Sequence, residues 1–222
     1  MSNMEPFRIS NQIRELRSAY PEAEDLIRIC RDGGESARLA IARQWLSEGI
    51  PYAFKDCPAI YEALRSWVAM RLDVDSKEVN ITGSARIGQS IAPYKLGKQF
   101  NGDSDLDIFI VNPQLFDQLK SDFFEWSDDF ETNRAKPSNE REARFWKDNI
   151  IRCPRNINRG FIDSKYIPNH KKYQHGSNVS QTMFLLKEKL AITENAPNVS
   201  DASVRCYKSW KCYADQFLLS FK

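Results

Sequence analysis

Residues 79–112 read VNITGSARIGQSIAPYKLGKQFNGDSDLDIFIVN, and this stretch decides the fold. Glu78 to Thr82 alternates between polar and apolar side chains and stops at Gly83-Ser84, which predicts a short strand running into a turn. Asp105 to Val111 (DLDIFIV) is rich in β-branched and aromatic residues and is stopped by Asn112-Pro113, which predicts a second strand. Successive side chains of a strand point to opposite faces, so Asp105 and Asp107 share one face and Leu106 and Ile108 the other. Two carboxylates that close repel each other unless cations or basic groups neutralise them. Hard divalent cations with oxygen ligands, Mg²⁺ above all, suit the arrangement. A Gly-Ser turn after a strand offers backbone N–H groups and a hydroxyl to a phosphate chain.

On either side of this stretch the period is helical. Ile13, Leu16 and Tyr20 fall on one stripe before Pro21, and Leu39, Ala42, Trp45, Leu46 and Ile50 form a second, bounded by Gly33-Gly34 and Pro51. Pro58 opens a third, with Ile60, Leu64, Trp67, Val68 and Leu72 along one face. After Pro113 a strong helix carries Leu115, Leu119, Phe123, Trp126 and Phe130, followed by a polar break over 131–139. Helices are expected over 140–151 and 180–192, with a short strand at 160–163 between them. From Val204 on, Tyr207, Trp210, Ala214, Phe217 and Phe221 keep helical spacing, although Val204–Tyr207 reads equally well as the start of a strand. Strands separated by helices predict an α+β core: a small mixed sheet with flanking helices. An N-terminal helical segment, residues 1–75, packs on a core of residues 76–222.

Gly83-Ser84 followed by Asp105-Leu106-Asp107 resembles the DNA polymerase β-like nucleotidyltransferase superfamily, whose signature is a strand ending in Gly-Ser and a strand carrying Asp-x-Asp. The wording Ser104-Asp105-Leu106-Asp107 is close to bacterial members, and the resemblance covers about Val79 to Asn112. It implies that Gly83 and Ser84 hold the triphosphate of a nucleoside triphosphate. Asp105 and Asp107 then bind two Mg²⁺ ions, for which Mn²⁺ can substitute, and a third carboxylate on an adjacent strand completes the metal site. Asp163, 56 residues past Asp107, has the spacing and strand-like context for that role, with Asp201 as the runner-up. Arg86 is expected to assist at the phosphates. The 20 residues between Ser84 and Asp105 exceed the family's usual gap and put Lys95 and Lys98 on a loop over the site, where the lysines, Lys98 in particular, are expected to hold phosphates; the alternative is an insertion without chemistry. The acceptor hydroxyl is left open: a second nucleotide, an RNA end such as that of tRNA, a protein side chain or a small molecule. The resemblance also implies a place in phage defence or a toxin–antitoxin pair. The rival class is a module that keeps the fold without turnover and binds RNA or a partner protein through its basic C-terminal part.

Other motif readings fail on detail. Asp103–Asp107 opens like a calcium loop, but Ile108 stands where glycine is required and Gln114 where the bidentate glutamate belongs. Gly83–Ser90 approaches the P-loop pattern, but Gln89 replaces its lysine.

Charge sharpens the division of the chain. With 32 Lys and Arg against 30 Asp and Glu the net charge is +2, yet residues 1–80 carry −2, residues 81–131 −5 and residues 132–222 +9. The acidic stretch contains Asp105 and Asp107, and the basic one includes Arg152, Arg155, Arg159, Lys165, Lys171 and Lys172 interleaved with Tyr166 and Tyr173. That mixture suits an RNA backbone, a triphosphate, or a solvated loop. Mean hydropathy is −0.57, no apolar run reaches membrane-spanning length, and MSNMEPFRIS lacks a secretion pattern, so a cytoplasmic protein is expected. Five dispersed cysteines read as reduced thiols, and none has the close pairing of a structural zinc site.

Overall fold

In the computed structural model, which describes residues 6, 7 and 9–219, the LDIFIV run forms the strand that organises the rest. Four strands, β1 (Val79–Thr82), β2 (Leu106–Val111), β3 (Phe161–Asp163) and β4 (Ala202–Tyr207), make one mixed sheet in the order β1-β2-β4-β3. β2 is antiparallel to β1 and parallel to β4, and β3 closes the edge antiparallel to β4. Parallel neighbours need a long crossover. Three helices and β3 supply it between β2 and β4: α6 (Pro113–Glu131), α7 (Glu140–Asn158) and α8 (Gln174–Ala191).

Strand alternation gives the sheet two unlike faces. Val79, Ile81, Leu106, Ile108, Ile110, Val204, Cys206 and Ile162 turn toward the main core, together with α6, α8 and α4 (Pro58–Leu72). Burying a side chain of this size stabilises the fold by roughly 1.5–3 kcal/mol, and Ile110, Leu106, Phe123 and Trp126 are fully enclosed. The other face carries Asp107, Phe109, Ser203, Arg205 and Asp163. A terminal helix, α9 (Trp210–Leu219), covers part of it: Tyr213 stacks on Phe109 with ring centroids 4.4 Å apart. The end of this face that holds Asp107 is left open.

Three short N-terminal helices form a second, smaller cluster: α1 (Asn11–Glu15), α2 (Ala23–Asp32) and α3 (Gly34–Ala40), the last widening into a π-type turn over Ile41–Trp45. Leu26, Ile29, Ile41 and Leu46 bury Ile87, which belongs to α5 (Ser84–Ile87), the single turn that follows Gly83. The expected α+β architecture, a small mixed sheet with flanking helices, is what the chain forms.

Several expected boundaries moved. The first stripe makes only the five residues of α1, and Tyr20 lies outside it, its hydroxyl donating to the Ile50 carbonyl at 3.0 Å. α7 runs past the expected stop at 151 and through Pro154, because Cys153 and Ile157 are buried against the core and packing outweighs the missing N–H. α8 begins six residues earlier than expected. Gly176 is needed there: a Cβ would fall 2.6 Å from Ile167 Cγ2, while its N–H donates to Asp122 at 2.9 Å. The ambiguous 204–207 segment is strand β4, with the helix starting only at Trp210; Phe221 lies outside the described residues. No helix among the described residues is long and apolar enough to cross a membrane, and all five cysteines are free thiols.

Candidate active site

The turn after β1 and the start of β2 meet because antiparallel pairing sets Thr82 opposite Asp107. The next residue, Gly83, has φ +67° and ψ −153°, a conformation essentially confined to glycine. A Cβ at Gly83 would stand 3.1 Å from Asp107 Oδ2, so the position is glycine for two reasons at once, backbone conformation and close approach to a carboxylate. The turn and the Asp-x-Asp strand, 20 residues apart in sequence, are thus one structural unit.

A cavity of about 590 Å³ opens over this unit, lined by Gly83, Ser84, Lys95, Lys98, Asp105 and Asp107 among others. The long segment after α5 is an ordered arm. Gln89 bridges to Gln99, Ser90 N–H donates to the Lys98 carbonyl at 2.9 Å, and Gly97 N–H donates to the Ser90 carbonyl at 2.9 Å. The Gln89 side chain anchors the arm to the N-terminal helices by accepting from Ala23 N–H at 3.1 Å and donating to Glu22. The arm brings both lysines to the lining of the cavity that the carboxylates also line.

Asp107 is the more enclosed carboxylate. Burial pushes its pKa above the ordinary range, and the nearby Asp105 adds to that shift, while the Ser203 hydroxyl, donating to Asp107 Oδ1 at 2.9 Å, opposes it. Ser200 donates to Asp105 Oδ1 at 2.6 Å. Each carboxylate is therefore held by a serine hydroxyl from β4 or the residues that lead into it.

The other expected site residues are placed elsewhere. Arg86 does not line the cavity: two residues along a helical turn is a rotation of about 200°, so Arg86 points away from Ser84. It is buried, with Nη1 donating to the Ile50 carbonyl at 2.8 Å, and burial lowers its pKa. Asp163 shares the sheet face of Asp107 but lies two strands over and two residues along, a separation on the order of 12 Å from strand spacing and rise. Arg205 lies between, its Nε 2.7 Å from Asp163 Oδ1 and its Nη2 3.1 Å from Oδ2. Asp201 is exposed, its Oδ1 accepting from Ala202 N–H at 2.9 Å. Among the described residues no three Asp, Glu, His or Cys side chains are grouped to hold a metal ion. The expected three-carboxylate set is not assembled; the pair Asp105–Asp107 is. In the register of the parallel β2–β4 pair, the residue that faces Asp107 is Ser203.

Asp107 also borders a second cavity of about 290 Å³ along the same sheet face, lined by Asp163, Lys165, Ser203, Arg205 and Tyr207 among others. Sequence reasoning missed Arg31 at the first cavity, and Ser200 and Ser203 at the carboxylates. Arg31 sits on a helix 52 residues before Gly83 and carries no local signal. The serines would have been found only by taking 202–207 as a strand and pairing it with β2. Comparison with protein-family models, curated proteins and solved structures gave no match.

The residues present suit a hard cation in part. Two carboxylates with serine hydroxyls beside them, on a cavity that lysines also line, are hard oxygen donors of the kind that a divalent cation such as Mg²⁺ takes. They do not by themselves supply a complete protein cage for two ions.

Proposed function

We propose that this chain transfers a nucleotidyl group from a nucleoside triphosphate to an acceptor hydroxyl. The observation that carries the reading is the close approach of Gly83 to Asp107 in a cavity that Lys95 and Lys98 also line. A phosphate-accepting turn, a carboxylate pair and two cations converge on a space large enough for a triphosphate. In this reading the two lysines and the Ser84 hydroxyl neutralise and orient the β,γ-phosphates, which leave as pyrophosphate. Mg²⁺ held by Asp105 and Asp107 supplies, when bound, charge neutralisation at the reacting phosphate. Ser200 and Ser203 fix the rotamers of the two carboxylates. The second cavity, which Asp107 also borders, gives the acceptor a separate approach to the reacting phosphate.

A second reading has its own support. With Ser203 facing Asp107, where a third carboxylate would complete the site, the chain reads as a nucleotidyltransferase-shaped module that binds without turnover. Pyrophosphate release decides between them, measured with each NTP, Mg²⁺ and cellular RNA, wild type beside Asp105→Ala plus Asp107→Ala. Release by the wild type alone supports transfer. Release by neither protein, with folded samples that still bind NTP, selects the binding module.

A further inference from the structure

The solvent face of α7 carries a pattern that the cavity does not use. Arg141, Arg144, Asp148, Arg152, Arg155 and Arg159 are spaced 3, 4, 4, 3 and 4, which lays them in one stripe along the helix and its cap residue. The buried residues Trp146, Asn149, Cys153 and Ile157 lie on the opposite side, and all five arginines are exposed. The stripe is about 27 Å long at 1.5 Å per residue. Its one acid, Asp148, pairs with Arg152 at 3.6 Å, and Arg144 reaches Glu140 at 3.5 Å. Arg141, Arg155 and Arg159 form no ion pair among the described residues.

Two further observations point to a ligand. At the C-terminal end of the stripe Arg159 opens into a cavity of about 600 Å³, also lined by Lys120, Lys208 and Lys211, of which, among the described residues, only Lys211 has an acidic partner, Asp215 at 2.5 Å. On the flank of the stripe Phe145, one turn from Arg141, exposes 45% of its surface. An exposed aromatic ring among arginines combines a charged track with a stacking platform, the pairing that single-stranded nucleic acid uses. An acidic protein partner would not need the ring, and guanidinium forks match phosphate oxygens.

We propose that the α7 arginine stripe and its terminal cavity bind the sugar–phosphate backbone of single-stranded nucleic acid, with a base stacked on Phe145. The surface is separate from the Asp105–Asp107 cavity, and the proposal does not depend on nucleotidyl transfer. The test is fluorescence anisotropy of labelled 15-nucleotide RNA and DNA of one sequence, titrated with the full chain over a series of salt concentrations. Replacing Arg141, Arg155 and Arg159 by alanine should lower the slope of log K against log salt by about 2, at roughly 0.7 per lost phosphate contact. Phe145→Ala should weaken binding about tenfold and leave the slope unchanged. Both variants should melt like the wild type, because the altered side chains are exposed. RNA preference would add a 2′-hydroxyl contact, and equal affinity would leave the backbone alone as the determinant; both support the proposal. It is overturned if neither oligonucleotide binds at low salt or if the triple variant keeps the wild-type slope. An equal loss on replacing the exposed Arg14, Arg17 and Arg43 also overturns it. Displacement by polyglutamate as effective as by unlabelled RNA of equal charge would assign the surface to an acidic protein instead.

Discussion

Replacing Gly83 by alanine tests whether the turn and the carboxylate pair are one unit. Two effects add. The backbone at φ +67° and ψ −153° disfavours any Cβ by on the order of 1–3 kcal/mol. The new Cβ would also meet Asp107 Oδ2 at 3.1 Å, so the carboxylate must yield by a few tenths of an ångström and give up part of its hydrogen bond to Ser203. For a chain of this size 1 kcal/mol moves the melting temperature by about 2–4 °C, so Gly83→Ala should melt roughly 2–12 °C below the wild type. Gly102 is the control, since its Cβ would meet nothing closer than Asn198 Cβ at 3.6 Å and its φ is not positive. Gly102→Ala should stay within about 0.5 kcal/mol of the wild type, as neutral surface changes do. Thermal denaturation followed by circular dichroism, in EDTA, reads both. Equal melting temperatures for Gly83→Ala and Gly102→Ala would refute the close approach and the inference that this turn presents itself to Asp107.

Three other outcomes follow from the same site. The folded-state pKa of Asp107 is raised, so native protein gains stability as pH falls through that pKa, and the destabilisation is fully present above it. Asp107→Asn should therefore be the more stable protein at pH 8 in EDTA, with the difference closing as pH approaches the unfolded value of about 3.9; a constant difference across pH would show that the charge is not the cause. Ser203→Asp would set a third carboxylate one strand spacing, about 4.8 Å, from Asp107, where like charges at an effective dielectric near 20 repel by about 3 kcal/mol. Its melting temperature should fall by several degrees in EDTA and recover in millimolar Mg²⁺ or Mn²⁺, and a loss that metal does not reverse would count against cation binding at Asp105 and Asp107. Arg205→Met should destabilise by about 3 kcal/mol, because it leaves the buried Asp163 carboxylate without its bidentate partner, and Asp163→Asn in the same background should recover most of that in urea denaturation; no recovery would mean that the pair is not coupled.

The sequence alone determined the pieces whose signals are local. Residue types with a strong period wrote β1, β2, α4 and α6, and Gly83-Ser84 with Asp105-x-Asp107 marked the place where charge and turn had to be explained. Strand alternation was enough to put both carboxylates on one face. The contact of Gly83 with Asp107, the arm that holds Lys95 and Lys98 over the cavity, and the anchoring of that arm by Gln89 required long-range pairing. Three residues show why local reading stops there. Arg86 is adjacent to the turn in sequence but on the opposite side of a helical turn in space, so its guanidinium is buried against the Ile50 carbonyl. Asp163 has a suitable spacing from Asp107, yet spacing along a chain does not state which strand lies between, and β4 inserts Arg205 there as its partner. Ser203, silent as a lone serine, becomes the residue opposite Asp107 because β2 and β4 pair in parallel, and sheet order and register are set by how the whole crossover packs rather than by any short run of residues.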